Sequence, residues 1–410
     1  MAPVKLRDVD LYDPDNFVEG VPHEMLTLLR REAPVFRHDT GSGGVFWAVT
    51  RHTDIVRVNR DAKTFSSWEG TALIDDIDEV ELETQRMMML NMDPPEHTKL
   101  RKIVNKAFTP RRITELSEAL RDRARQIVAE VAGRGECDFV TDVACELPLQ
   151  AIAEILGVPQ DDRHKVFDWS NRLIGFDDPE FESSRAEAQE VAAEMYAYAQ
   201  ELAERHRAEP AHDIVSALLA AEVDGHQLTD LDFNLFFLLL TVAGNETTRN
   251  ATSLAMQALM ENPGERQKLL DDPSLIDAAI EEFLRWGTPV MQFRRTATTD
   301  TELGGQRIAK GDKIVMWHIS GNRDEEMFDD PFAFRVDRDP NMHLNQIAFG
   351  GGGPHFCLGA NLARAELKII FTEILATIPD MEPAGPVDRL RSNFINGIKH
   401  LPVKFTPVGA

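Results

Sequence analysis

The sequence of 410 residues predicts a mainly α-helical fold with a small β region. Apolar residues recur at three- and four-residue spacing over 116–131, 145–156, 186–207 and 230–261, which is the period of an amphipathic helix. Short strand-like runs are few, and they do not alternate with helices as in a doubly wound sheet. Because no repeat and no clean linker divides the chain, we expect a single domain over residues 1–410.

Gly and Pro residues mark the ends of the predicted helices. Gly157-Val158-Pro159 follows the helix over 145–156, and Asn262-Pro263 follows the helix over 230–261. Strands are predicted over 45–50, 306–308 and 313–317, and a final helix over 360–376.

The composition excludes several classes of function. Asp and Glu outnumber Lys and Arg by 69 to 44, and a formal net charge of −25 argues against a protein that binds nucleic acid. Three cysteines without a CxxC pair exclude a disulfide scaffold. The first residues lack the apolar core of a signal peptide, and the most apolar stretch, 235–244, is about half of a membrane span. We therefore expect a cytoplasmic protein without a membrane anchor.

One short segment is basic against this acidic background. Between Lys99 and Arg112 the chain has six Lys or Arg residues and no acidic residue. Such a run is often a solvated helix face, but on a protein of this net charge it also suits an acidic partner or an anionic cofactor.

The strongest chemical signal is the glycine-rich stretch from Phe349 to Gly359, which contains Cys357 and precedes the final predicted helix. Its spacing is not that of a phosphate-binding or dinucleotide-binding loop. Glycines let a backbone approach a flat cofactor closely, and a helix entrance favours a thiolate. A thiolate held in this way can be the axial ligand of haem iron, although a lone cysteine is more often a small buried hydrophobe.

Two further motifs carry polar chemistry on helices. Glu282 and Arg285 are three residues apart, a spacing that places an ion pair on one helix face. Ala243-Gly244-Asn245-Glu246-Thr247-Thr248 interrupts a long apolar helix, in which a glycine costs about 1 kcal/mol relative to alanine. Polar Glu246 and Thr247 break the helical pattern, which indicates a functional site.

These three motifs, which follow one another along the chain as 243–248, 282–285 and 349–359, resemble those of the cytochromes P-450 in kind and order. The resemblance implies the fold of that family, a triangular helical prism in which haem b is buried between a long central helix and the helix after the cysteine loop. It implies Glu246 and Thr247 as the catalytic pair that supplies protons to dioxygen. The residues that would contact the haem are Ala243, Gly244, Phe349, Cys357 and Gly359, with Cys357 as the thiolate ligand of the iron.

The same resemblance assigns three further groups of residues. His97-Thr98-Lys99-Leu100-Arg101 is similar to the HTxxR segment of the family, whose side chains bind a haem propionate. The implied propionate ligands are His97, Arg101, Arg295 and His355. The implied structural network consists of Glu282, Arg285 and Arg338. The implied substrate pocket includes Met88, Leu240, Ala243, Val290, Phe293 and Ile395, all of them apolar, although each could equally be a core residue.

Two departures from the common pattern indicate a branch of the family. Phe349 lies eight residues before Cys357, where many bacterial members have seven, and the acidic residue is Glu246 where many have Asp. Both features occur together in enzymes similar to actinobacterial hydroxylases of the terminal methyl group of sterols or methyl-branched lipids. The resemblance covers residues 89–400.

The implied function is therefore a haem-thiolate monooxygenase that hydroxylates an unactivated C–H bond of a hydrophobic substrate, favoured as a steroid or methyl-branched isoprenoid lipid. Electrons would come from NAD(P)H through a ferredoxin reductase and a ferredoxin, because the chain has no flavin or iron–sulfur motif. Lys102, Arg111 and Arg112 would belong to the ferredoxin-docking face of a monomer. The alternatives are a smaller terpene or alkylaromatic substrate, a peroxide-driven enzyme, and a non-enzymatic haem or lipid-binding protein. The last two leave the Glu246–Thr247 pair without a purpose.

Overall fold

The computed structural model describes residues 4–41, 43–106, 108, 110–174, 178–180, 185–210, 214–223, 225–339 and 345–409. Its helices are α1 His23–Glu32, α2 His52–Arg60, α3 Glu79–Arg86, α4 Glu96–Asn105, α5 Pro110–Ala132, α6 Glu146–Ile155, α7 Arg163–Ile174, α8 Arg185–Ala208, α9 Ile214–Leu219, α10 Asp230–Glu261, α11 Pro263–Asp271, α12 Ile276–Gly287, α13 His318–Gly321 and α14 Ala360–Thr377. Its strands are β1 Val35–Asp39, β2 Val45–Val49, β3 Phe65–Ser66, β4 Glu136–Asp138, β5 Glu222–Val223, β6 His226–Gln227, β7 Gln292–Ala297, β8 Thr301–Leu303, β9 Gln306–Ile308, β10 Lys313–Trp317, β11 Glu382–Pro383, β12 Asp388–Arg389, β13 Ile398–His400 and β14 Pro402–Lys404.

The predicted mainly helical class is confirmed, since 53% of the chain is helical. The predicted helix over 230–261 coincides with α10 because both of its ends carry strong local signals. Thr229 and Asp232 form a reciprocal capping box at the first turn, and the helix stops at Asn262, before a proline. The sequence missed most of the short strands, including β7, because a run of six residues with two arginines lacks an apolar period.

The described chain divides into two compact units. The first consists of Met1–Thr98, Glu281–Cys357 and Arg391–Gly397. Its centre is a five-stranded sheet in the order β1-β2-β10-β7-β3, in which only the β2–β10 pair is parallel. One face of this sheet packs on a buried cluster around Phe46, Val315 and Trp317, so the amino-terminal helix α1 shares a core with strands from much later in the chain.

The second unit consists of Lys99–Ile280, Leu358–Leu390 and Ile398–Ala410. Helix α10 runs through it and contacts α6, α7, α8, α11 and α14. A three-stranded sheet in the order β11-β14-β4 and the two-stranded pairs β12–β13 and β5–β6 also belong to it. None of the helices in the described ranges combines the length and apolarity that a membrane span requires. The expectation of one domain over residues 1–410 stays a prediction.

Candidate functional site

The cysteine loop has a backbone that only glycine adopts readily. Residues 350–353 are all glycine, with φ values of 95°, 56°, 99° and 84°. A Cβ atom at Gly353 would lie 2.1 Å from the carbonyl oxygen of Asn59, so no side chain fits there. The Cys357 N–H donates to the carbonyl oxygen of Phe349 at 3.1 Å, and this bond closes the loop. The Cys357 residue is exposed rather than packed in a core.

The other two cysteines lie in different surroundings. Cys145 is buried and Cys137 is half-buried. Burial raises the pKa of both thiols to about 12, so both are protonated at neutral pH. This difference supports the assignment of Cys357, and not Cys137 or Cys145, as a thiolate.

Two of the predicted propionate ligands lie side by side. The rings of His97 and His355 are 4.3 Å apart between centroids, and His97 is buried. The Nε2 atom of His355 is 3.1 Å from the Ser67 hydroxyl, and the Ser67 N–H donates to Asp93 at 2.9 Å. The fold thus brings together a histidine from α4 and a histidine from the cysteine loop. Arg101 follows His97 by four residues in α4 and donates to Asn105.

Arg295 is a buried guanidinium on β7. Its Nη1 donates to the carbonyl oxygen of Arg294 at 2.7 Å. Burial lowers the pKa of Arg295 to about 10, while the charge of Asp93 acts in the opposite direction. Within the described residues, no carboxylate lies at ion-pair distance from Arg295. A buried cation in this state suits an anionic group of a ligand.

The predicted structural network forms with all three of its members. Glu282 is fully buried and accepts hydrogen bonds from Arg285 at 2.7 Å and from Arg338 at 3.1 Å. Burial alone would raise the pKa of Glu282, yet the bonds and charges of these two arginines hold it below its ordinary value. Arg285 also donates to the carbonyl oxygens of Asn322 and Pro331. The network therefore ties α12 to the chain that leads to the cysteine loop.

The middle of α10 presents its predicted residues on different faces. Leu240, Ala243 and Thr247 are open or half-open and lie at three- and four-residue spacing along one face. The Thr247 hydroxyl donates to the carbonyl oxygen of Ala243 at 2.7 Å. A Cβ atom at Gly244 would lie 2.2 Å from the Cδ1 of Ile152, so close packing on α6 also accounts for this glycine.

Glu246 is buried and does not share the open face. It forms an ion pair with Arg249, which lies three residues later in the same helix. Arg249 also donates to Asn171 on α7 at 2.8 Å. Burial raises the pKa of Glu246 above its ordinary value, although the Arg249 charge acts in the opposite direction. Glu246 is therefore a buried, ion-paired acid on a different face of α10 from Thr247.

Of the predicted pocket residues, four lie in the first unit. Val290 and Ile395 face each other in an antiparallel bridge, and the Phe293 ring is 5.6 Å from the Phe394 ring. Met88 is half-buried at the start of a short turn. The structure thus brings Val290 and Ile395 together. The pocket role of these four residues, and of Leu240 and Ala243 on α10, stays a prediction.

Sequence reasoning missed several residues that support these sites. Ser67 reaches His355 across 288 residues and is itself held by Asp93, and no local pattern marks either residue. Arg249 had a usable signal, since its three-residue spacing from Glu246 repeats that of Arg285 from Glu282. Arg323 is buried and donates to the carbonyl oxygens of Arg285 and Trp286.

Comparison with known proteins decides the family. The family model described as cytochrome P-450 matches residues 135–378, which is more than half of the chain. The chain belongs to the cytochrome P-450 family. It is therefore a monooxygenase with a haem-iron cofactor.

Curated relatives match over nearly the whole P-450 chain. The steroid C26-monooxygenase of Rhodococcus jostii (strain RHA1) is 45% identical over 97% of this chain and 84% of its own length. The methyl-branched lipid omega-hydroxylase of Mycobacterium tuberculosis (strain ATCC 25618 / H37Rv) is 39% identical over 99% of this chain and 95% of its own. A cytochrome P-450 of Mycobacterium marinum, solved in complex with pseudoionone, is similar with a TM-score of 0.89, 39% identity and coverage of 99% and 100%.

The residues of this P-450 fit a haem. A haem would need one sulfur ligand for its iron and hydrogen-bond donors, at least one of them cationic, for its two propionates. An exposed cysteine on a glycine loop meets the first need. The loop packs closely on the Asn59 carbonyl at Gly353, and this packing limits its movement. Buried Arg295 is a cation that fits the second need, and the neighbouring His97 and His355 rings offer further hydrogen-bonding nitrogens.

Proposed function

We propose that this P-450 hydroxylates an unactivated C–H bond of a steroid or a methyl-branched isoprenoid lipid. The observation that carries this proposal is the similarity to two named groups of enzymes, a steroid C26-monooxygenase and a methyl-branched lipid omega-hydroxylase, over almost the whole chain. The apolar character of Met88, Leu240, Val290, Phe293 and Ile395 agrees with a lipid-like ligand.

The cysteine loop and its neighbours would hold the cofactor, proposed as haem b. Cys357 would be the thiolate ligand of the iron, and His97, Arg101, Arg295 and His355 would bind the propionates. When bound, the haem supplies the activation of dioxygen and the transfer of one oxygen atom. Ala243, Gly244, Phe349 and Gly359 would lie against it. Glu282, Arg285 and Arg338 would fix the protein around it without taking part in the chemistry.

Two residues of α10 would control protons. The Thr247 hydroxyl would donate a hydrogen bond to dioxygen, which requires it to leave the carbonyl oxygen of Ala243. Glu246, with its raised pKa, would supply the protons. Because Glu246 is paired with Arg249, its carboxyl must turn toward the open face of α10 when it donates.

A redox partner must supply the electrons, and we propose a ferredoxin reduced by an NAD(P)H-dependent reductase. Lys99, Lys102 and Lys106 are exposed on and just after α4, as an acidic partner would require. The side chains of Arg111 and Arg112 lie outside the described residues. A monomeric state and a cytoplasmic location stay predictions.

Three alternatives remain distinct from this proposal. The first is the same reaction on a smaller terpene or alkylaromatic substrate. A peroxide-driven enzyme and a non-enzymatic haem or lipid-binding protein are disfavoured by the consecutive acid and alcohol Glu246 and Thr247, for which neither has a use.

Absorption titration of the ferric haem protein tests the substrate class. The panel contains a steroid enone, a methyl-branched fatty acid, pseudoionone and an alkylbenzene. A low-to-high-spin shift with the two large lipids alone supports the proposal. A shift only with the two smaller ligands overturns the lipid assignment and keeps the monooxygenase.

The ligand assignment has its own test. Cys357→Ser should abolish the thiolate band in the reduced carbon monoxide spectrum, whereas Cys145→Ser should retain it. A thiolate band in the Cys357→Ser protein would overturn the assignment of the iron ligand.

A further inference from the structure

The last turn of α2 packs directly on the cysteine loop. The Nε of Arg60 donates to the carbonyl oxygen of Gly351 at 3.2 Å. A Cβ atom at Gly352 would lie 2.9 Å from that same Nε, and a Cβ atom at Gly353 would lie 2.1 Å from the Asn59 carbonyl oxygen. Both the side chain and the backbone of α2 therefore touch the loop where its glycines have positive φ.

The end of α2 is itself fixed in place. The Asn59 side chain is buried, and its Nδ2 lies 3.1 Å from the carbonyl oxygen of Ile55 and 3.1 Å from the Nε2 of His318. Burial lowers the pKa of His318 to about 3, so the imidazole is neutral and its Nε2 can accept the bond from Asn59. At the other end of α2, the His52 ring is 2.7 Å from the carbonyl oxygen of Asn345. A helix held at both ends is a rigid support for the loop.

Arg60 brings a positive charge as well as a hydrogen bond. Its side chain is exposed, and among the described residues no carboxylate forms an ion pair with it. A cation beside an anionic ligand favours the anion, and it also favours the reduced over the oxidised iron because reduction adds negative charge. The glycine at 352, where the Arg60 guanidinium lies, belongs to the loop that is one residue longer than in many family members.

We propose that Arg60 is a positioning residue for the thiolate ligand, which it serves by holding the cysteine loop through Gly351 and by placing a cation beside Gly352 of that loop. This proposal rests on the proposed function, in which Cys357 is the ligand. The Asn59 carbonyl packs against Gly353 of the same loop, and His318 orients the Asn59 side chain.

The experiment compares three variants of the haem-loaded protein, Arg60→Ala, Arg60→Lys and Arg57→Ala. Arg57 is a matched control, since it is also exposed and lies one turn earlier in α2. Two quantities are measured after chemical reduction, without any protein partner. The first is the rate, in mild denaturant, at which the absorption band of the thiolate-ligated carbon monoxide complex is replaced by the shorter-wavelength band of the complex without the thiolate. The second is the midpoint potential of the iron.

Arg60→Ala should convert roughly tenfold faster than the natural protein, as expected for the loss of one charge-assisted hydrogen bond. It should also have a lower midpoint potential, and Arg60→Lys should restore the potential because it keeps the charge. The proposal is overturned if Arg60→Ala matches Arg57→Ala in both quantities, or if Arg60→Lys leaves the potential as low as Arg60→Ala does. Absence of a thiolate band in the natural protein would instead overturn the assignment of Cys357, which separates the two failures.

Discussion

Glu246 and Arg249 form a buried ion pair within α10, and Asn171 on α7 accepts a second hydrogen bond from the same arginine. Glu246, the acid of the proposed catalytic pair, is therefore anchored on the buried face of α10, while Thr247 lies on its more exposed face. Breaking such a pair costs free energy because a charge is left buried without compensation. In the proposed mechanism, proton supply would therefore depend on a movement of the Glu246 side chain.

Replacement of this acid should slow proton supply without disturbing the cofactor. For Glu246→Gln we expect kcat with a reducing partner to fall about a hundredfold or more, since a positioned acid contributes a factor of that order. The reduced carbon monoxide spectrum should be unchanged. Stopped-flow turnover together with that spectrum checks both parts. A Glu246→Gln protein with normal kcat would show that protons arrive by another route.

Loss of the Thr247 hydroxyl should uncouple electron consumption from product. In Thr247→Val the branched shape is kept and the hydroxyl is lost, so electrons should go mainly to hydrogen peroxide or water. The neighbouring Thr248→Val is the matched control, because Thr248 is buried on another face of α10. The ratio of product formed to NAD(P)H consumed is the measurement. Equal ratios in the two variants would remove Thr247 from the mechanism.

The basic surface of α4 should govern electron delivery. The double variant Lys99→Glu, Lys102→Glu should slow ferredoxin-driven reduction and reverse its salt dependence, because like charges then meet at the interface. The control Lys165→Glu, Lys404→Glu changes the net charge equally at exposed sites elsewhere. Reduction rates over a range of ionic strength check the prediction. Equal salt dependence in the two double variants would mean that the partner docks elsewhere.

The Glu282 network should be a large contributor to stability. Glu282→Gln leaves two buried arginines without their counter-charge, and we expect a loss of roughly 3–5 kcal/mol in the free energy of unfolding. Glu281→Gln, at the adjacent half-buried position, should cost much less. Urea unfolding monitored by circular dichroism measures both. A cost for Glu282→Gln no greater than for Glu281→Gln would contradict a structural role for the network.

A cluster of charged residues around His400 and Lys399 in the second unit predicts that stability depends on pH. The hydrogen bond to Asp138 raises the pKa of His400, against the effect of burial, and Glu180 adds to the rise. Lys399 joins the same cluster through Asp178, Glu180 and Asp388.

A raised pKa in the folded state means that protonated His400 stabilises the fold. This contribution is complete below the unfolded pKa of 6.5 and is lost as the pH rises through the higher folded value. The difference in Tm between the natural protein and His400→Gln should therefore shrink as the pH rises above 6.5. A difference that is constant with pH would contradict the assignment.

Interactions between residues close in sequence were sufficient to predict several features of the structure. The bounds of α10 follow from the capping box at Thr229 and from the Asn262-Pro263 stop. The Glu282–Arg285 pair follows from a three-residue spacing on one helix face, and the glycines before Cys357 from a backbone with positive φ. In each case the interacting residues are neighbours in sequence, so the spacing already determines the contact.

Other features depended on contacts between distant parts of the chain. Ser67 meets His355 across 288 residues, Asn59 meets His318 across 259, and Arg249 meets Asn171 across 78. The sequence by itself determined the helices α5, α6, α8, α10 and α14, the cysteine loop and the family resemblance, because these rest on local geometry and short motifs. Only the tertiary structure decided that Asn171 holds Arg249 and that α2 supports the cysteine loop, since long-range packing selects one partner among many polar residues of equal local preference.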